Sequence, residues 1–280
     1  MYFVSRRIFL AASLSLPAAT VQAAPPTAAP AVGGGLVTIV DGEVFLLRDN
    51  GRFALAEGVV LKADDILEVP EKAALARIEL PDGTSLALGP GSRALLAPRI
   101  PGERAGARLY LLAGWLKIVA PAGKTVSVLS PVVDVLTTGG TVVVSVMADA
   151  TRVVPESGEA VVRRRATPPQ PVKAGEMYSR ARGTASKPSI EKRPPADFIA
   201  SLPRAFLDAL PSRAARFQDR TVEPRRLGDI AYADAQPWID GEPALRRAYL
   251  PRWRPLAADP EFRRGIAAGM SAHPEWAPPR

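Results

Sequence analysis

The chain has 280 residues, of which 47% are hydrophobic, so it can pack one or two domains and a disordered protein is excluded. It has no cysteine, which excludes disulfides, thiolate metal sites and cysteine nucleophiles. Its single histidine excludes most zinc-hydrolase and Ser-His-acid mechanisms. The net charge is +8, and the 29 prolines and 22 glycines favour many short elements separated by turns.

The first 23 residues are typical of an export signal. Residues 5–7 are a basic start, residues 8–16 form an apolar stretch, and residues 21–23 supply the small residues of a cleavage site. The apolar stretch is too short to span a hydrocarbon core of ~30 Å. Residues 5–10, Ser-Arg-Arg-Ile-Phe-Leu, also fit the twin-arginine export signal, although an ordinary signal with two chance arginines is the alternative. We expect cleavage after residue 23, a periplasmic location and no transmembrane helix in the mature protein. The residues that carry this prediction are Ser5, Arg6, Arg7, Phe9, Leu10 and Ala23.

Residues 24–35 are rich in Pro, Ala and Gly and are predicted to be a leader without regular structure. From residue 36 to 165, short aliphatic runs alternate with turn residues, and no helix-length amphipathic stretch interrupts them. Because parallel sheets need helical crossovers, this pattern predicts an all-β domain, either a sandwich or a roll of short strands. The predicted strands are 36–40, 44–47, 59–61, 66–69, 74–80, 85–88, 93–97, 108–112, 115–119, 125–129, 132–137, 141–147, 151–154 and 160–163.

Seven short motifs in this region occur in the order seen in FecR domains. They are Gly42-Glu43-Val44, Gly58 with Asp64-Asp65-Ile66-Leu67, Leu80-Pro81-Asp82-Gly83-Thr84, Gly89-Pro90-Gly91-Ser92, Leu112-Ala113-Gly114-Trp115-Leu116, Ser130-Pro131 through Gly140-Thr141, and residues 156–162. On these motifs the region resembles a FecR domain over about 125 residues. Its motif turns are at Gly42, Asp82, Gly83, Gly114, Gly140, Thr141 and Gly158.

The resemblance implies an exported, non-enzymatic β domain. In the family's regulators this domain lies in the periplasm, is joined through a membrane helix to a cytoplasmic anti-sigma segment, and relays a signal from an outer-membrane receptor. The export signal and the leader occupy the sequence ahead of the β region. We therefore expect the domain and its compartment, rather than the transcriptional output, to carry over to this chain.

Residues 166–196 are predicted to be a basic, proline-rich tether. Between residues 163 and 193 there are nine Lys or Arg and two Glu. Such a run could bind nucleic acid or anionic lipid, but it has no interleaved aromatic residues, which favours a solvated linker and no nucleic-acid partner. Residues 197–280 are predicted to be a module of three to five short helices. Ser201, Glu242-Pro243 and Asp259-Pro260 are their expected starts.

Four residues of the helical module are possible ligand contacts. Trp238 and Trp253 could stack on a glycan or a peptide, or they could be core or docking anchors, which we favour. Arg246 and Arg247 could clamp an anionic ligand, or they could lie on a solvated helix face, which we also favour.

Paired acids in the same module could serve glycoside cleavage, but the sequence does not position them, and roles as helix caps and loop acids are favoured. These acids are Asp229, Asp234, Asp240 and Glu242. The sequence has no phosphate-binding glycine loop, nucleophile elbow or metal-ligand spacing. No catalytic residue, metal or cofactor is therefore predicted, and we expect the protein not to be an enzyme.

The sequence thus predicts a mainly β protein with a small α-helical C-terminal region, acting as an exported binding or scaffold protein of the cell envelope. The expected partner is an envelope protein or peptidoglycan. One alternative is a FecR-type periplasmic sensor or regulator. The least favoured is a peptidoglycan-active enzyme that uses a carboxylate such as Glu242 or Glu275.

Overall fold

A computed structural model describes residues 34–100, 102–164, 167–183 and 187–276. The predicted export signal, with all of its named residues, and nearly all of the predicted leader lie outside these ranges. The strands are β1 (Gly35–Asp41), β2 (Phe45–Arg48), β3 (Gly51–Ala54), β4 (Val60–Leu61), β5 (Ile66–Val69), β6 (Leu75–Glu79), β7 (Ser85–Leu88), β8 (Ser92–Leu96), β9 (Leu109–Leu129), β10 (Asp134–Val146), β11 (Ala150–Ser157), β12 (Glu159–Arg164), β13 (Thr167–Lys173), β14 (Met177–Ala181), β15 (Ser189–Glu191) and β16 (Arg225–Asp229). The α-helices are α1 (Ala196–Ser201), α2 (Tyr232–Ile239), α3 (Pro243–Trp253) and α4 (Pro260–Ala268).

All the paired strands belong to one curled antiparallel sheet, which confirms the mainly β fold. One stretch of the sheet runs β4-β1-β6-β7-β9-β10-β11-β14-β15. The other stretch contains β16-β3-β2-β5-β8 and the start of β9, while β12 and β13 extend the early part of β10. The two stretches share β9 and β10, so the sheet folds over on itself around a single interior.

Side-chain alternation along the strands separates this interior from two outer faces. In β9, Leu109 and Leu111 belong to the interior cluster, whereas Tyr110 belongs to a cluster on the outer side. Later in the same strand, Leu116 again points inward, and Trp115 belongs to a second outer cluster. Successive residues of a strand point to opposite faces, so each strand sends some side chains into the interior and others outward. The outward side chains include apolar ones on both outer faces of the folded sheet, and these need covering.

Glycines bend the two long strands as they pass between the stretches of the sheet. The sequence predicted three separate strands where β9 runs unbroken, and two where β10 does. The register of β10 against β9 shifts between Thr138 and Gly140. Gly114 and Gly140 have φ values of +90° and +89°, a region that residues with a Cβ rarely adopt. The motif turns at Gly114 and Gly140 therefore lie inside long strands, which they bend instead of ending.

The C-terminal part of the chain covers both outer faces. On the first, which we call the helix-covered face, α2, α3 and α4 pack over the outer sides of β2, β5, β8 and the start of β9. On the second, which we call the cleft face, α1 and the short 3-10 turn of residues 204–206 pack over β1, β6, β7, β11 and the middle of β9. Between these covers, β16 pairs with β3 at an edge of the sheet.

The segment predicted as a tether is largely strand. β13 pairs with β12, β14 pairs with β11, and β15 pairs with β14, so the described residues of 166–196 extend the sheet. Proline content pointed to a linker, but prolines are tolerated on the edge strand β13, where no further described strand requires their missing N–H.

The helix starts agree with the sequence at two of the three expected positions. Asp259 accepts hydrogen bonds from the backbone N–H groups of Glu261 and Phe262 at 2.9 and 2.8 Å and begins α4, and Pro243 begins α3. Ser201 is different, because it ends α1 and its hydroxyl donates to the carbonyl of Phe198. Across the described ranges the longest α-helix has 11 residues, and none combines the length and apolar content of a membrane-crossing helix.

Candidate ligand-binding cleft

Trp238 and Trp253 are fully buried, so they are core anchors and not ligand contacts. The Trp253 ring stacks on Tyr249, with ring centroids 4.4 Å apart, and its Nε1 donates to the carbonyl of Asp49 at 3.2 Å. Arg252 donates to the carbonyls of Asp64 and Leu47 at 2.6 and 3.3 Å. These contacts fix α3 to the turns of the sheet.

The two arginines proposed as an anion clamp do not act together. Arg246 donates to the carbonyl of Ala272 at 2.6 Å and forms an ion pair with Glu275 at 3.0 Å. Its neighbour Arg247 is exposed. Arg246 therefore has a structural role, in holding the last turn of the chain against α3.

The acids considered for glycoside cleavage all have structural partners. Asp240 contacts Nδ1 of the buried His273 at 2.8 Å, and the other ring nitrogen of that histidine lies 3.1 Å from the carbonyl of Ile266. Asp234 accepts from the N–H of Ala231 at the start of α2. The remaining two acids pair with arginines, Asp229 with Arg226 at 2.5 Å and Glu242 with Arg104 at 2.6 Å.

Arg104 is the centre of a partly buried cluster that ties α3 to the sheet. Besides Glu242 it binds Asp134 through two nitrogens at 3.0 Å, and its guanidinium lies 5.6 Å from the ring centre of Tyr110. Burial raises the pKa of the Asp134 carboxyl, although Arg104 acts in the opposite direction. Burial also raises the pKa of Tyr110, so that phenol stays protonated. The cluster is charge-balanced apart from one acid, which suits a structural role.

The motif-turn residues lie at corners and bends of the sheet. Gly42, Gly83 and Gly158 have positive φ values, as do the two strand-bending glycines described above. Asp82 accepts from the N–H of Thr84 at 3.0 Å and thereby closes its corner. The N–H of Thr141 donates to the Ser157 hydroxyl at 3.0 Å. These residues build the scaffold and do not converge on a site.

The cleft face carries the candidate site, a cleft of about 520 Å³ between α1 and the outer side of the sheet. Its floor is Trp115, Phe198, Met147 and Met177, and the rings of Trp115 and Phe198 lie 5.7 Å apart at an angle of 47°. We call this the Trp115 cleft. Its volume falls in the range of small-ligand pockets, and thioether side chains suit surfaces that accept more than one partner shape.

Strand geometry places the floor residues. Gly114, with its positive φ, comes directly before the part of β9 that lies at the cleft face. In that part the Trp115 side chain points outward and the Leu116 side chain points into the interior. In β14 the same alternation sends Met177 to the cleft and Tyr178 to the interior. The strand alternation thus accounts for the Trp115 and Met177 parts of the floor, while Phe198 comes from α1.

Charged side chains surround the mouth of the cleft. Arg152 is paired with Asp149 at 2.6 Å, so its charge is balanced. Glu191 and Asp197 also line the cleft and are exposed. Among the residues that the structure describes, neither of these two carboxylates forms an ion pair. The mouth therefore carries unbalanced negative charge on a chain whose net charge is +8.

An edge strand borders the cleft. Within the described part of the chain, β15 pairs only with β14, so its other edge has backbone groups with no strand beside them. Ser189, Ile190 and Glu191 are all exposed, and Ile190 is 44% exposed. An unpaired edge of this kind can accept a further strand. The cleft and the open edge meet at Glu191.

Sequence reasoning missed this site. Trp115 lies in one of the motifs and Glu191 lies in the predicted tether. Trp115 and Phe198 are 83 positions apart in the chain, so no local pattern indicates that their rings are in contact. The one available signal was the alternation around Trp115, which places a large aromatic ring on the face opposite to Leu116.

No family model matches the chain, and no curated protein matches it. Among solved structures, two crystal structures, each described as of a "putative anti-sigma factor" from Parabacteroides distasonis ATCC 8503, are similar at 17% identity with TM-scores of 0.39 and 0.38. The similarity covers 46% of this chain and 59% of each of those chains, so it spans less than two thirds of their length. A likeness this distant carries no argument about function, and the FecR resemblance stays a prediction.

Proposed function

We propose that this protein is a non-catalytic protein-binding module of the cell envelope that serves a regulatory or signalling role. The observation that carries the proposal is the open edge of β15 beside the Trp115 cleft. An extended partner segment can add to such an edge through main-chain hydrogen bonds, while a neighbouring pocket takes one of its side chains. The regulatory part goes beyond the domain and compartment expected from the sequence, and it is suggested by the role of FecR domains, which residues 42–162 resemble, in relaying a signal. The signal-like residues 1–23 support export.

The way the chain uses its other polar groups supports a binding role. The acids that could have formed a catalytic pair are bound to Arg104, Arg226 and His273, or cap a helix. The helix-covered face is filled by aromatic side chains. The cleft face keeps both an open recess and two carboxylates without an ion-pair partner among the described residues, and it is therefore the surface on which we expect a partner.

Photo-crosslinking in the native host tests the proposal. A photoreactive amino acid at Ile190, on β15, should give a discrete adduct with an envelope protein. The same amino acid at Leu227, on the edge strand β16 and 40% exposed, is the matched control and should not give that adduct. Phe198→Ala should weaken the adduct at position 190 because it removes part of the cleft floor.

One result would decide against the proposal, and a second would decide against the predicted export route. An equal adduct pattern at positions 190 and 227 would show that β15 is not a specific edge. An undiminished adduct in a strain carrying Arg6→Lys and Arg7→Lys would contradict twin-arginine export as the route to the partner. A signalling role further requires that deletion of the gene change transcript levels, and that the wild-type chain restore them while Phe198→Ala does not. Full restoration by Phe198→Ala would favour the scaffold role.

A further inference from the structure

We propose that the Trp115 cleft binds a cationic side chain, lysine or arginine, of the partner segment. This inference rests on the proposed function and names the chemistry that the cleft would recognise. It starts from Glu191 and Asp197, two carboxylates that line the cleft and have no cationic partner among the described residues. Two carboxylates that line a cleft and have no ion-pair partner favour an incoming positive charge.

The cleft's own cation does not satisfy these carboxylates. Arg152 lies on the wall, but its NH2 group is 2.6 Å from the Asp149 carboxylate. Because that pair is neutral as a unit, the charge that a ligand meets at the mouth is set by Glu191 and Asp197. Lys192 follows Glu191 directly in the chain but does not line the cleft.

The floor suits the apolar stem of the same side chain. Lysine and arginine carry methylene chains that pack on apolar surface while the charged head stays near water or a counter-ion. Met147 is half-buried and Trp115 keeps 9% of its surface exposed, so the lining offers a small apolar area to such a stem. An acidic ligand would meet two like charges, and a purely aliphatic one would leave both carboxylates without a partner.

The position of Glu191 links this pocket to the strand edge. Glu191 pairs in register with Met177, so the last residue of β15 stands beside a floor residue of the cleft. A strand added to β15 would point alternate side chains toward the same outer face as Met177. One cationic residue in an otherwise β-forming segment is therefore the sequence that we expect the site to select.

The test uses the exported chain and three capped heptapeptides of Val and Thr that differ only at the central residue, which is lysine, norleucine or glutamate. We expect calorimetric titration at low salt to give at least about tenfold tighter binding for the lysine peptide than for the norleucine peptide. We also expect this preference to shrink as salt is added. Double substitution Glu191→Gln and Asp197→Asn should remove the preference. The matched double substitution Asp219→Asn and Glu223→Gln, at exposed acids outside the cleft, should leave it unchanged.

The outcomes separate the two proposals. Norleucine binding as tightly as lysine would overturn the cationic pocket but leave an apolar peptide site. If none of the three peptides binds while the crosslink at position 190 persists, the edge recognises a partner without this pocket, and the cationic proposal is also wrong. Absence of a discrete adduct from the photoreactive amino acid at position 190 contradicts the proposed function itself. Circular dichroism of both double variants checks that the fold is intact.

Discussion

The two outer faces of the folded sheet are covered by the same C-terminal chain, but in different ways. Three helices cover the first face, and the side chains beneath them are large and fully buried, with Trp238 and Trp253 at 0% exposure. On the second face, α1 has six residues and leaves a cleft of about 520 Å³ above Trp115. One face is thus packed like a protein interior, and the other keeps space and charge at its surface.

The difference between the two faces separates apolar side chains that only stabilise the fold from those that remain near the surface. Both faces begin as outward-pointing residues of strands, and both need a cover, since exposed apolar patches of this size are uncommon on soluble chains. Stacked rings and hydrogen bonds such as that of Trp253 to Asp49 complete the helix-covered face. On the cleft face Met147 stays half-buried and the cleft opens beside Trp115, and we therefore propose binding there.

The largest effect should come from removing a ring under the helices. Trp253→Ala should lower the free energy of unfolding by about 3 to 5 kcal/mol, because it empties a closed site and removes the stack on Tyr249. Trp115→Ala, on the floor of the cleft, should cost about 1 to 3 kcal/mol, since the lost ring borders space that is already open. Urea unfolding of both variants measures the difference. Equal losses would remove the distinction between the two faces.

The next effect concerns the bend that carries β10 onto the cleft face. In Gly140→Ala the new Cβ would lie 2.4 Å from the carbonyl oxygen of Ser157, at a residue with a φ of +89°. We expect a loss of roughly 3 kcal/mol from strain and the shift of the paired strand. Gly175→Ala is the control, because its φ of +82° is similar but nothing lies within 4 Å. The control should lose about 1 kcal/mol.

The Gly140 comparison has a clear failing outcome in thermal unfolding. If the two alanine variants melt together, crowding at Ser157 does not matter and the bend is held by backbone conformation alone. A larger loss in Gly140→Ala assigns the bend to close packing between β10 and β11. The cleft floor depends on that packing, because Met147 directly follows β10.

Local signals predicted much of the sheet and little of the site. Turn residues such as Asp82-Gly83 and alternation as in β6 act over a few positions, so the strands and corners of residues 36–163 could be read from the sequence. Aliphatic runs separated by Gly114 looked like different strands, because a glycine that bends a strand and one that ends it have the same local pattern.

The covers and the cleft depend on distant contacts. Glu79 accepts from the N–H of Arg213, 134 positions along the chain, and Arg252 binds carbonyls near Asp49 and Asp64. No pattern within a window of a dozen residues contains such pairings. The proline-rich composition around β13 predicts a linker. The structure instead places these residues in an edge strand, because they pair with β12.

The smallest effects should distinguish the two faces by the sign of their pH dependence. Glu79 lies on β6, and residues 212 and 213, which follow the cleft-face cover in the chain, contact it. Burial alone would raise the pKa of its carboxyl, but hydrogen bonds from the Ser212 hydroxyl and the N–H of Arg213 outweigh burial and leave that pKa below its usual value. Its stabilising contribution is therefore present above the pKa of the unfolded chain and is lost as the pH falls through the lower, folded value. Glu79→Gln should cost about 1 to 2 kcal/mol at pH 7, and less at pH 4.

Glu68 at the helix-covered face should behave in the opposite way. Burial raises the pKa of its carboxyl, and Arg93, 3.5 Å away and half-exposed, offsets this only in part. The folded state thus favours the protonated acid. Its contribution is full below the pKa of the unfolded chain and is lost as the pH rises through the higher, folded value. Glu68→Gln should be neutral or stabilising by up to about 1 kcal/mol at pH 7, with the difference vanishing toward pH 4. Urea unfolding between pH 4 and 7.5 measures the difference in unfolding free energy between the wild type and each variant. Plotted against pH, this difference should have opposite slopes for Glu79→Gln and Glu68→Gln. Slopes of the same sign would show that the hydrogen bonds from residues 212 and 213 do not hold Glu79 in solution.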